Sequence, residues 1–137
     1  MTLVLDSSVA LAWIYPDETT DPIREVFAVI AESGAFVPAL WRLEVANGLT
    51  LAMRRGRIDE EVRAKALADF LLLDISIDEA TDSNAWNATL RLADRFSLTV
   101  YDAAYLELAQ RQAFPLASLD RALRAAAAGA GVSVLGA

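Results

Sequence analysis

Thr2-Leu3-Val4-Leu5-Asp6-Ser7-Ser8 opens the chain, and the fold is read from this stretch. The run before Asp6 is apolar at successive positions rather than at every second one, which marks a strand covered on both faces. It stops on an aspartate and two serines, and Val9-Ala10-Leu11-Ala12-Trp13 then reads as a helix. A buried strand that delivers a carboxylate at its end and passes into a helix is the unit from which parallel sheets are built.

The same alternation continues outward. Pro16 to Thr20 reads as a turn, with Thr20 or Asp21 capping a helix that has Pro22 in its first turn and runs to about Glu32. Ser33-Gly34 breaks it, Ala35-Phe36-Val37 is a second short strand, and Pro38 halts that strand. A helix is expected from Ala39 to Arg55, closed by Gly56, and another from the acidic turn Asp59-Glu60-Glu61 to about Leu72. Ile75-Ser76-Ile77 reads as a strand. Thr81 or Asp82 caps one helix extending to about Phe96, and Tyr101 to Gln112 forms the next. Pro115 to Ser118 is a strand leading to Asp120, followed by a helix from Arg121 to Ala128 and a last strand from Val132 to Leu135. Strands alternating with helices from end to end predict a single α/β domain over residues 1–137, with a mainly parallel sheet covered on both faces.

Composition narrows the chemistry. The chain has no cysteine and no histidine, which removes thiol nucleophiles, thiolate and imidazole metal sites and the Ser-His-Asp triad. A catalytic metal here would need oxygen ligands, which favours Mg²⁺ or Mn²⁺ over zinc. No apolar run is long enough to span a bilayer, and the N-terminus lacks a basic stretch followed by an apolar core, so a cytoplasmic protein is expected. The net charge of −7 disfavours a nucleic-acid partner at first sight, but two bound divalent ions would bring it to roughly −3. Apart from Lys65 the basic residues are all arginine, which suits bidentate phosphate contacts, and Arg54, Arg55 and Arg57 form the tightest cluster.

Ligand sites of parallel sheets lie beyond the carboxyl ends of the strands. Asp6 and Asp120 fall there directly, and Asp102 starts a helix after the Leu98-Thr99-Val100 connector. Each of these aspartates is also a plausible helix N-cap. Glu44 is different. It lies inside Leu40-Trp41-Arg42-Leu43-Glu44-Val45-Ala46-Asn47, a helix read as apolar on almost every side, so its carboxylate is expected to be largely desolvated and to need a cation, an arginine or hydrogen-bond donors. Asn47, one turn later, is a candidate to orient it or to hold water.

Four blocks of the sequence together resemble the PIN domains, and most closely the VapC toxins among them. They are Leu3-Val4-Leu5-Asp6-Ser7-Ser8, Val37 to Asn47, Leu98-Thr99-Val100-Tyr101-Asp102-Ala103-Ala104-Tyr105-Leu106, and Leu116-Ala117-Ser118-Leu119-Asp120-Arg121-Ala122-Leu123. They occur in the family's order along the whole chain. The resemblance implies a three-layer α/β/α sandwich and a Mg²⁺- or Mn²⁺-dependent endoribonuclease that is usually a homodimer and is silenced by a VapB-type antitoxin. Asp6, Glu44, Asp102 and Asp120 match the family's acidic quartet. Ser118 matches a Ser or Thr beside the last acid, and Ser7 a small residue after the first. The expected reaction is hydrolysis of an RNA phosphodiester by metal-activated water, with a single-stranded loop as the accessible target. Asp6 and Asp102 are the expected direct ligands.

Other classes were weighed against these residues. A phosphoacceptor receiver domain needs an acidic pair after the first strand and a late lysine near a strand end, whereas Lys65 is placed mid-helix. A haloacid-dehalogenase-type phosphatase needs a second Asp where Ser8 stands. A non-catalytic interaction module, or a PIN nuclease of RNA processing outside a toxin–antitoxin pair, keeps the fold and differs only in use. Trp41 is expected in the core, while Trp13 and Tyr15 are candidates for a protein interface.

Overall fold

The first strand of the sequence lies at the centre of the sheet. The structure, a computed structural model, describes residues 1–137. In chain order its elements are β1 (Leu3–Leu5), α1 (Ser7–Trp13), α2 (Asp21–Ser33), β2 (Ala35–Val37), α3 (Trp41–Arg54), α4 (Glu60–Leu71), β3 (Ile75–Ile77), α5 (Thr81–Asn84), α6 (Ala88–Phe96), α7 (Val100–Gln112), β4 (Leu116–Ala117), α8 (Arg121–Gly129) and β5 (Val134–Leu135). The strands form one sheet in the order β3-β2-β1-β4-β5, and every pairing is parallel. Leu3, Val4 and Leu5 point alternately to the two faces yet are all fully buried, so helices cover both faces and the expected α/β/α sandwich is what forms.

The order of strands places the site. From β1 the chain moves outward through β2 to β3, then returns to the other side of β1 for β4 and β5. The direction of winding therefore reverses between β1 and β4, and the crevice beyond their carboxyl ends is where such sheets bind ligands. Asp6 follows β1 and Ser118 follows β4, joined by the Val4–Leu116 and Leu5–Ala117 register and by the Asp6 N–H bond to the Ala117 carbonyl at 3.0 Å. Arg124 closes the neighbouring edge, its Nη1 donating to the carbonyls of Ser118 and Leu135 at 2.7 and 2.9 Å.

The helices are set by local chemistry. Thr20, Asp59, Thr99 and Asp120 cap α2, α4, α7 and α8 through side-chain oxygens. α1 and α3 meet where Gly48 faces Leu11; a Cβ at Gly48 would come within 2.4 Å of Leu11 Cδ1, so only glycine allows this approach without repacking. One apolar core runs through the molecule from β1 to α8, and Trp41 is buried in it, edge-on to Phe70.

The single helix expected from Thr81 to Phe96 is instead two. Asn87 leaves the helical region at φ −128 and ψ −93 and its side chain caps the Ala88 N–H, so α6 starts afresh there. A second ion cluster joins distant segments. Arg111, itself exposed at the end of α7, donates to Asp78 Oδ1 and Oδ2 at 3.2 and 2.6 Å and to Glu107 Oε1 and Oε2 at 2.9 and 2.8 Å. Asp78 and Glu107 are both buried. Burial alone would raise the Asp78 carboxyl, but hydrogen bonds from Arg111, Thr81 and the Ala80 backbone outweigh it and hold the group below its ordinary value. No helix is long and apolar enough to cross a membrane.

Candidate active site

Each acid of the expected quartet reaches the strand-end crevice by a different route. Asp6 is the N-cap residue of α1 but its side chain makes no capping bond. The carboxylate turns inward instead, where Oδ2 accepts from Ser8 Oγ at 2.6 Å and from Ser118 Oγ at 2.8 Å. It is buried, with 4% of its surface exposed. Ser118 is fully buried and its hydroxyl also accepts the Asp120 N–H at 3.1 Å, so one serine touches two of the acidic segments. Ser8 does the same across the switch point, accepting the Leu119 N–H at 3.0 Å.

Asp120 keeps the capping role open to it from sequence, with Oδ1 accepting the Leu123 N–H at 2.8 Å. Asp102 does not. The cap of α7 is Thr99, whose hydroxyl accepts the Asp102 N–H at 3.1 Å, so Asp102 sits in the first turn, its carboxylate without a cationic partner and lowered only by Thr99. The Thr99-x-x-Asp102 spacing is the signal that identifies this cap.

Glu44 is half-buried rather than largely desolvated, because α3 exposes Arg42, Leu43, Ala46 and Asn47 on its outer side. Asn47 is exposed and makes no side-chain hydrogen bond to Glu44. The partners are on other elements. Tyr105 Oη donates to Glu44 Oε1 at 2.6 Å, and Ser7 Oγ does so at a long 3.4 Å. Ser8 and Tyr105 are the site residues that the sequence reading left out.

The electrostatics bind the four acids into one neighbourhood. Burial and, after it, the charges of Asp120, Asp6 and Glu44 together raise the Asp102 carboxyl to about 6. Burial raises Asp6 as well, opposed by Ser8 and Ser118 and reinforced by Asp120. Glu44 is raised by burial, opposed by Tyr105 and reinforced by Asp6. Yet no three acidic side chains are arranged to hold a metal ion together; Asp120 is turned to the Leu123 N–H and Glu44 to Tyr105. The donor chemistry fits a hard divalent cation all the same. Every donor is oxygen, each of the four carboxylates has at least one oxygen outside the side-chain hydrogen bonds named above, and the cluster lacks a compensating cation.

A carboxyl raised on folding stabilises the native state fully below its unfolded value, and this contribution is lost as pH rises through the folded value. For Asp102 the window runs from its ordinary value of 3.8 to about 6. The metal-free protein is therefore expected to melt higher near pH 5 than near pH 7.5, and millimolar Mg²⁺ or Mn²⁺ is expected to recover the difference at the higher pH. Calorimetry across that range checks it, and a melting temperature that rises with pH would refute the repulsion.

A parallel α/β sheet whose winding reverses beside a cluster of mutually repelling carboxylates defines an α/β protein with an acidic, oxygen-donor site at its strand ends. The PIN domain family model matches residues 3–129, and the chain belongs to the PIN-domain family. It is 29% identical over 123 residues to Ribonuclease VapC3 of Pyrobaculum aerophilum, covering 90% of this chain and 92% of that protein. Among solved structures, PAE2754 from Pyrobaculum aerophilum superposes with a TM-score of 0.63 at 24% identity, over 92% of this chain and 87% of the other. FitAcB from Neisseria gonorrhoeae gives a TM-score of 0.65 at 16% identity, over 98% and 96%. These two structural likenesses bear on the fold alone, and they agree with the sheet described above.

Proposed function

We propose that the chain is a Mg²⁺-dependent endoribonuclease, accepting Mn²⁺, that acts as the toxin of a VapBC-type pair in the cytoplasm. The observation that carries this reading is Asp102, a carboxyl with no cationic partner, raised to about 6 by burial and by three neighbouring acids against the opposing hydrogen bond with Thr99. Such a cluster is unfavourable for the empty protein and has its natural use in holding hard cations. The name of the VapC3 relative supports RNA as the substrate and a VapB-type antitoxin as the partner.

Asp6 and Asp102 are the direct ligands in this scheme, with Glu44 and Asp120 contributing directly or through water. A divalent cation bound among them supplies the Lewis acidity that makes water a nucleophile near neutral pH and offsets the charge of the phosphate. The chain's own residues do the rest. Ser8 and Ser118 orient Asp6 through hydrogen bonds that favour its ionised form against burial, and Ser118 also fixes the Asp120 backbone, so two acids keep a constant spacing. A groove between α1 and α3 is lined by Ser8, Tyr15, Glu18, Gly48, Arg55 and Arg57; Arg57 lies 3.8 Å over the Tyr15 ring and is paired with Glu18 at 2.8 Å, which leaves Arg55 to meet a phosphate. The groove supports a path for the RNA backbone away from the acids. Exposed Trp86, Leu71 and Leu72 offer apolar surface for protein partners, an antitoxin or a second copy in a homodimer.

The test is cleavage of an RNA hairpin with a single-stranded loop. Cutting is expected with Mg²⁺ or Mn²⁺, to stop in EDTA and to return when the metal is restored. Equal cutting in EDTA would remove the metal from the scheme, and no cutting with either ion would remove the nuclease.

A further inference from the structure

We propose that Tyr105 is a positioning residue for Glu44, fixing which carboxylate oxygen is presented to the acidic crevice; this rests on the reading of the crevice as a metal-dependent nuclease site. α7 places Asp102 and Tyr105 three residues apart, hence on one face of the helix, and that face carries both groups to the acids of β1 and α3. The Tyr105 ring is fully buried, so its hydroxyl is delivered by a rigid core residue with few conformational alternatives. It donates to Glu44 Oε1 at 2.6 Å across 61 residues of sequence.

Glu44 needs such a constraint. Its helix neighbours Leu43 and Asn47 are exposed, so water lies within easy reach of a flexible side chain, and Asp6 repels it. Left free, the carboxylate gains hydration and loses repulsion by turning outward. Ser7 at 3.4 Å is too distant to oppose that alone. The short bond from Tyr105 holds Oε1 inward and leaves Oε2 as the oxygen available to a cation. Partners of this kind, which orient a ligand without touching the metal, are commonly worth 10- to 100-fold in metal affinity.

The experiment uses the full chain and its Tyr105→Phe variant, which keeps the ring and removes the hydroxyl. Mn²⁺ binding is followed by paramagnetic resonance and RNA cleavage by kcat and KM. Expected are a loss of about 10-fold or more in Mn²⁺ affinity, a matching fall in kcat at fixed sub-saturating Mn²⁺, and a KM for RNA within about twofold of the parent. Addition of Tyr105→Phe to Glu44→Gln is expected to weaken Mn²⁺ binding no further, because the effect passes through Glu44. A Mn²⁺ affinity within twofold of the parent, or an undiminished loss in the Glu44→Gln background, overturns the assignment. A parent protein that binds Mn²⁺ but cuts no RNA overturns the nuclease reading alone, and the titration then decides Tyr105. A parent that binds no Mn²⁺ overturns both.

Discussion

Asp102→Asn is expected to abolish RNA cleavage while raising the melting temperature of the metal-free protein at neutral pH. The two effects have one cause. The Asp102 carboxylate has no ion pair to lose, and burial with the charges of Asp120, Asp6 and Glu44 outweighs the Thr99 hydrogen bond and makes its ionised form costly. Asparagine keeps the size and removes the charge, so the fold is relieved of repulsion in a way that a capping or ion-pairing aspartate would not allow. The same charge is a metal ligand in the proposed site, and its loss should lower kcat by roughly 10²–10³-fold or more, the scale set by removing one preorganised charge-stabilising group. Mg²⁺ should also stabilise the variant less than the parent. Cleavage at the parent rate would end the proposed mechanism, and a variant that is inactive because it melts lower would assign Asp102 to the fold instead.

Arg111→Ala carries the largest expected effect on stability. The guanidinium serves Asp78 and Glu107 together, and both carboxylates are buried, 8% and 5% exposed. Removing it leaves two buried carboxylates without their cation, a loss of about 2–3 kcal/mol once the exposure of the arginine itself is discounted, or roughly 5–10 °C in melting temperature for a domain of this size. Arg111→Lys is expected to recover only part of it, since an ammonium cannot make two forked contacts. The pH response follows from Asp78, whose folded value is depressed. Its contribution is present above the unfolded value of about 3.9 and is lost as pH falls toward the depressed one. The gap between parent and Arg111→Ala should therefore narrow in acid. A difference below about 1 kcal/mol in denaturant titrations at neutral pH would show that water reaches these carboxylates after all.

Much of the sheet was legible in the sequence because β1, β2 and β4 are apolar at successive positions, a pattern a half-exposed strand does not produce, while the edge strand β3 shows as the alternation Ile75-Ser76-Ile77. The strand order follows less directly, yet the placement of Asp6 and Asp120 after strands was enough to direct attention to one end of the sheet. The break between α5 and α6 was hidden by a continuous helical pattern from Thr81 to Phe96; Asn87, an amide before a helical run, was its one local sign. The burial of Glu44 was overstated because apolar content does not reveal which face of α3 meets the core, and Leu43 is 75% exposed. Glu107 and Arg111 lie i to i+4 on α7 and could be paired from spacing. Asp78 could not, nor could Tyr105 be matched to Glu44, because those contacts depend on how separate helices and strands are brought into register.

The insertion of β4 beside β1 bears on the order of events during folding. β1 can pair with β2 early, but its other edge stays open until the chain returns with β4. Asp6 meets Ser118 in the same step, across 112 residues of sequence. The event that shields the last open edge of the central strand is thus also the event that assembles the acidic pocket. If the proposed ribonuclease activity holds, a nascent or partly folded chain is expected to spare RNA until its sheet is closed, and regained cleavage during refolding would time the arrival of β4.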